Sequence, residues 1–154
     1  FVNDSGKDTE PLEKAKLIVT ALTNYAAPFL RYEIGDIGYY INKRCNCGRN
    51  TKLIDIVGRK KSTLKDHINK NVYEDELYDL LLNEDNILLF ELVQVNRDRV
   101  YLNLVEDLSG KIDIKNVEDK VKNIFGYETS LEIKIKDHIK PSPSGKYWLV
   151  KNKI

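Results

Sequence analysis

The chain has 154 residues, 42% of them hydrophobic, which suits one medium domain or a small domain beside a piece of another. Lys and Arg number 25 against 24 Asp and Glu, a balance that gives no electrostatic case for nucleic acid or an anionic membrane. No apolar run approaches the roughly 18 residues of a membrane span, and the polar start FVNDSGKDTE does not read as a signal peptide. Two cysteines are too few for a disulfide framework. Cys45 and Cys47 lie one residue apart, which reads as poor geometry for bonding to each other, so a reducing, cytoplasmic setting is expected. The chain has no Met and begins with Phe1, from which a piece of a larger protein is expected.

Residues 1–16 are polar and charged and predict poor order. KLIVTALT (16–23) reads as a buried strand, and PFLRYEI (28–34) as a second extended run opened by Pro28. GDIGYYI (35–41) follows, with Gly35 and Gly38 predicting tight turns between short strands. NKRCNCGRNTK (42–52) is a surface loop and LIDIVG (53–58) another strand. RKKSTLKDHINKN (59–71) is basic with few core candidates and reads as a connector, so a boundary is placed near Lys61.

The second half has a cleaner rhythm. EDELYDLLLN (74–83) carries Leu77, Leu80 and Leu81 at helical spacing behind an acidic first turn. ILLFELVQV (87–95) and RVYLNLVE (99–106) are strands joined by a short turn. DIKNVEDKVKNIFG (113–126) predicts a helix with the apolar face Ile114, Val117, Val121 and Ile124, capped by Asp113 and stopped by Gly126. SLEIKIK (130–136) alternates as a strand. The fold class expected is α+β: a small β subdomain over 1–60, then a helix-strand-strand-helix-strand unit over 61–154. This is the split βαβ pattern, with helices on one face of an antiparallel sheet.

Four short stretches carry chemistry. In RYEIGDIG (31–38), an acid held between two glycines can accept two hydrogen bonds from a vicinal diol such as a ribose; a plain turn is the other reading. In VGRKK (57–61), Arg59 can grip a hydroxyl or phosphate, or be one of a solvated charge run. In CNCGR (45–49), Cys45 and Cys47 could both join a zinc site, but two more ligands are needed and neither His67 nor His138 is at a recognisable spacing. PSPSGK (141–146) raises Lys146 on a glycine-bearing loop, where it could neutralise charge as a carboxylate attacks a phosphate, or merely be part of a basic tail. No Walker loop, dinucleotide fingerprint or Ser-His-Asp set is present.

Taken in order, LIVTALTNYAAPFLRYEIGDIG, CNCGR, IDIVGR, the helix-strand-strand-helix-strand unit and PSPSGK resemble the C-terminal third of an adenylate-forming enzyme. The nearest likeness is to the phenylacetate–CoA ligase branch, which includes proteins named for capsular polysaccharide biosynthesis. It covers roughly residues 17–154. The resemblance implies an ATP-dependent ligase that joins a carboxylate to ATP, with magnesium, to give an acyl-adenylate, and passes the acyl group to coenzyme A or another acceptor. It implies a large AMP-binding domain preceding this chain, whose last part would be residues 1–60, and a mobile lid over 61–154. By itself the chain is then expected to be inactive. It further implies that Asp36 holds the ribose hydroxyls of ATP or AMP, with Tyr32 beside the nucleotide and Arg59 gripping ribose or phosphate. Lys61 falls at the hinge, and Lys146 is the lysine that enters the site for adenylation. The chain departs from the family in carrying Lys60 and Lys61 where acids are usual after GR. HINKNVYEDEL lacks the usual glycine and has Glu74 where proline is common. Adenylation is therefore better supported than transfer to coenzyme A. The alternative reading is a non-catalytic α+β interaction module with a zinc clip at Cys45 and Cys47.

Overall fold

All 154 residues, Phe1 to Ile154, are described by the computed structural model. They fold as two units, Phe1–Lys60 and Lys61–Ile154.

The first unit is a three-stranded antiparallel sheet in the order β1-β2-β3, formed by β1 (Ala15–Val19), β2 (Tyr32–Ile41) and β3 (Leu53–Arg59). The first strand is shorter than its apolar run. It ends at Val19, and the amide of Ala21 donates to the carbonyl of Phe29 at 2.8 Å, closing a loop over the residues between. The second strand overturns the expectation of short strands broken at glycines. Tyr32–Ile41 is one continuous ten-residue strand, and Gly35 and Gly38 lie inside it. Gly35 adopts φ 86°, a conformation glycine reaches without penalty, and the strand passes through it rather than turning. Gly38 marks a register irregularity against β3. A Cβ there would stand under 3.0 Å from the Asp55 carbonyl oxygen and from the Phe1 ring, so glycine is what lets the strands close up. Residues 1–16, expected to lack order, are tied down here: Phe1 and Val2 are buried and Val2 exchanges two backbone hydrogen bonds with Lys16.

The second unit opens with a 3-10 turn, Lys60–Ser62 beginning one residue earlier in the chain, and then a two-stranded hairpin of β4 (Leu64–Lys65) and β5 (Asn71–Val72). This stretch was expected to be an unpacked connector. It is a packed element, because Leu64 and Val72 belong to the core. The buried Asp66 carboxylate accepts the amides of Ile68 at 3.0 Å and Lys70 at 2.8 Å, holding the hairpin tip. Two side-chain amides fasten it to the sheet. Buried Gln94 accepts from the Lys65 amide at 2.9 Å and donates to the Lys65 carbonyl at 2.6 Å. Asn152 donates to the Thr63 carbonyl at 2.7 Å.

Helix α1 (Glu74–Leu82) follows, then β6 (Ile87–Asn96), β7 (Arg99–Glu106), α2 (Ile114–Phe125), β8 (Ser130–Ile135) and β9 (Val150–Asn152). The acidic first turn of α1 complements its helix dipole, and Leu77 and Leu81 are buried. In α2 the Asp113 carboxylate accepts the Asn116 amide at 3.0 Å, an N-cap as its side chain predicts. The buried stripe is Val117, Val121 and Phe125, while Ile114 sits at the exposed edge. These side chains join Phe90, Leu92, Val100, Leu102, Leu104 and Val150 in one core.

The sheet is not antiparallel throughout. Its order is β8-β7-β6-β9, with β6 and β7 antiparallel but β8 parallel to β7 and β9 parallel to β6. The connection through α2 brings the chain back in the direction of β7, as a helical crossover does. The edge strand β9 was not foreseen, since three residues in a Lys-rich tail carry too little alternation to show.

On this sheet Glu91 accepts a hydrogen bond from Asn103 at 2.8 Å and pairs with Lys151 of β9. Burial works against the charged carboxylate, but the Lys151 and Asn103 hydrogen bonds hold it below its ordinary range. A depressed carboxylate contributes stability above its unfolded-state pKa and loses it as pH falls through the folded one. Thermal unfolding of wild type against Glu91→Gln should therefore show a gap at neutral pH that closes below about pH 4. A gap that widens on acidification would refute this role.

Candidate functional site

The strand pair β2–β3 builds the site. In register Asp36 faces Arg59, and the Asp36 Oδ1 lies 3.2 Å from the Arg59 Nε. The pairing follows from the register, because antiparallel strands place directly opposed residues on the same face of the sheet. The Asp36 side chain is 22% exposed and the Arg59 side chain 63%. With Oδ1 turned to the guanidinium, Oδ2 is left to accept from a hydroxyl, and the exposed guanidinium stands beside it as a cation. Such a carboxylate–guanidinium pair can hold a diol by its two hydroxyls while the cation faces an anionic group beside it.

A second ion pair lies next to it. Lys60 Nζ meets Glu33 Oε1 at 3.1 Å, so the charge ladder along the strand ends is Glu33–Lys60 and Asp36–Arg59. Sequence reasoning noted Lys60 only as a departure. The opposite charges on Glu33 and Lys60 were the signal, but the register that joins them is not visible in one dimension. Tyr32 begins the same strand, half exposed at 51%, with its ring centroid 5.0 Å from that of Phe29.

Lys146 belongs to the second unit. The loop that carries it is shaped by its own hydrogen bonds. The Ser142 amide donates to the Lys146 carbonyl and the Gly145 amide to the Ser142 carbonyl, both at 2.8 Å, and the Lys146 amide reaches Ser142 Oγ at 3.2 Å. Gly145 supplies the φ of 78° the turn requires. The Lys146 side chain stands exposed with no ion pair. Lys61 lies in the 3-10 turn Lys60–Ser62.

The zinc expectation is corrected. Cys45 and Cys47 are free thiols, and nowhere do three or more His, Cys, Asp or Glu side chains gather as a metal would need. The His67 ring nitrogen Nδ1 lies 3.0 Å from the Phe125 carbonyl in the second unit.

No family model matches the chain. No curated protein sequence matches it either. Solved structures do. One is a 2-hydroxyisobutyryl-CoA ligase in the postadenylation state with R3-HIB-AMP, with TM-score 0.78, 17% identity, 97% of this chain and 34% of that one covered. Another is the O-succinylbenzoate coenzyme A synthetase of Bacillus subtilis in complex with AMP, with TM-score 0.68, 16% identity, 96% of this chain and 32% of that one covered. A third is the amide bond synthetase McbA of Marinactinospora thermotolerans, with TM-score 0.68, 15% identity, 94% and 32% covered. The chain has the fold of adenylate-forming ligases. It spans about a third of the length of the ligases it matches. No helix is long and apolar enough to cross a membrane.

Proposed function

We propose that the chain is the C-terminal part of an ATP-dependent carboxylate-activating ligase. Residues 1–60 close a large AMP-binding domain, and residues 61–154 are its mobile lid. Asp36 and Arg59, paired across β2 and β3, hold the ribose and neighbouring phosphate of ATP or AMP, and Tyr32 borders the nucleotide. Lys61 lies at the hinge, and Lys146 supplies positive charge during adenylation. The reaction joins a carboxylate to ATP with magnesium and delivers the acyl group to coenzyme A or another acceptor. The phenylacetate–CoA ligase branch, with its capsular polysaccharide members, is the best-fitting branch, on the PFLRYEIGDIG and CGR segments.

The observation that carries this reading is the Asp36–Arg59 pair at 3.2 Å, within a fold shared with AMP-bound ligases. The exposed apolar side chains Leu22, Tyr25, Phe29, Leu30 and Tyr32 support it as well. So large an apolar group in solvent is what a further domain would cover.

The test is carboxylate-dependent ATP–pyrophosphate exchange by the longer natural protein, screened over aryl and short aliphatic acids. Exchange with at least one acid is expected. Asp36→Ala should raise the KM for ATP about 10- to 100-fold, the scale of a lost hydrogen bond to a charged group. No exchange with any acid would sink the proposal.

A further inference from the structure

Nucleotide handling engages neither cysteine, yet the fold brings the two together. The Gly48 amide donates to the Cys45 carbonyl at 3.4 Å, closing a turn around Asn46 and Cys47, with Gly48 at φ 78°. That turn folds the chain back on itself and places Cys45 Sγ and Cys47 Sγ 2.6 Å apart, where the one-residue spacing had read as poor geometry for bonding. The Cys47 amide also lies 3.4 Å from Cys45 Sγ. Cys47 is exposed and Cys45 half-buried, so an incoming reagent meets Cys47 first.

The setting favours a thiolate. Lys43, Arg44 and Arg49 stand in the same exposed loop, and nearby cations stabilise ionised sulfur. The hydrogen bond from Cys45, then that from the Arg49 backbone, hold the Cys47 thiol below its ordinary range. The loop also walls a cleft of about 600 Å³ lined by Lys43, Arg44, Arg49 and Lys52 together with Asp8 and Glu10. Residues 42–52, which hold both cysteines, carry four cations and no acid, and that excess suits a reagent that bears carboxylates.

We propose that Cys45 and Cys47 form a reversible dithiol–disulfide couple oxidised by small acidic disulfides of the glutathione class, with Cys47 the attacking thiol and Cys45 the resolving one. The Cys47 thiolate attacks one sulfur of the reagent. The reagent's S–S bond breaks, a mixed disulfide forms on Cys47, and one glutathione thiolate leaves. Cys45 then loses its proton to solvent, its thiolate attacks Cys47 Sγ, and the second glutathione thiolate leaves. The protein loses two hydrogens and one oxidised glutathione becomes two reduced ones. The couple cross-links the tip of the β2–β3 hairpin and does not depend on the ligase proposal.

The test incubates the reduced 154-residue chain with excess oxidised glutathione at mildly alkaline pH and follows its intact mass. Wild type should lose two hydrogens, keep no adduct, and return to its starting mass with dithiothreitol. Cys45→Ser should accumulate one glutathionyl group on Cys47. Cys47→Ser should react about tenfold more slowly, its remaining thiol being more covered. Both variants should keep the wild-type circular dichroism spectrum, since both positions lie in a surface loop. An unreactive wild type, a lasting adduct on one or both cysteines, or a disulfide-linked dimer would overturn the couple. Equal rates for the two variants would overturn the assigned roles.

Discussion

Replacing Lys146 by alanine is expected to slow adenylation by the longer natural protein about 10²- to 10³-fold, the usual scale for removing one electrostatic stabiliser of a transition state. The loop fits that role in three ways. It is held by its own hydrogen bonds through Ser142, so the ammonium is presented on a shaped support. The side chain forms no ion pair that would have to be broken first. Gly145 allows the turn without strain. Because Lys146 lies outside the core, the variant should unfold at the wild-type temperature. Pyrophosphate exchange read beside the melting curve separates a lost charge from a damaged fold. Exchange at the wild-type rate would remove Lys146 from the chemistry and leave the Asp36–Arg59 pair to be judged separately.

Gly126→Ala is expected to destabilise the second unit by about 3 kcal/mol, combining backbone strain with overpacking. Gly126 ends α2 at φ 99° and ψ 144°, a region nearly closed to residues with a Cβ. The new methyl would stand under 3.0 Å from three atoms of the His67 ring. That ring cannot easily move aside, since its Nδ1 lies 3.0 Å from the Phe125 carbonyl and the His67 amide donates to the same oxygen at 3.0 Å. Gly145→Ala is the control. It shares a positive φ of 78° but has open space around it, so only about 1 kcal/mol is expected from conformation alone. Urea unfolding of the two variants should differ clearly. Equal losses would mean that His67 yields and that packing at Gly126 is soft.

How far the sequence could be read depends on how local each signal is. Helix α2 was legible because Val117 and Val121 repeat at helical spacing between a capping Asp113 and a stopping Gly126. Strands β6 and β7 were legible because an apolar run and an alternating one flank a short turn. Gly35 and Gly38 misled, since glycine marks a turn and a crowded strand equally well, and only the Asp55 carbonyl and Phe1 ring decide between them. The hairpin 64–72 was hidden because its stabilisation comes from afar. Leu64 is buried by other elements, and Lys65 is bonded by a glutamine 29 residues away. In the site, Asp36 and Arg59 were individually visible, but their opposition is a property of strand register. The contact between the cysteine sulfurs likewise depends on a turn hydrogen bond that two letters and a spacing do not encode.

The tethers at the start of the second unit bear on torsion. Thr63 is bonded by Asn152 and Lys65 by Gln94, through atoms of β9 and β6. A segment fastened to the sheet at two of three consecutive residues cannot twist without breaking those bonds, and the Gln94 amide has no water to replace them. Upstream of this anchorage β3 stays paired with β2 as far as Arg59, opposite Asp36, so only the turn Lys60–Ser62 separates the two hydrogen-bonded stretches. A lid of the kind proposed would thus pivot on that one short turn, with a clamped sheet as the lever.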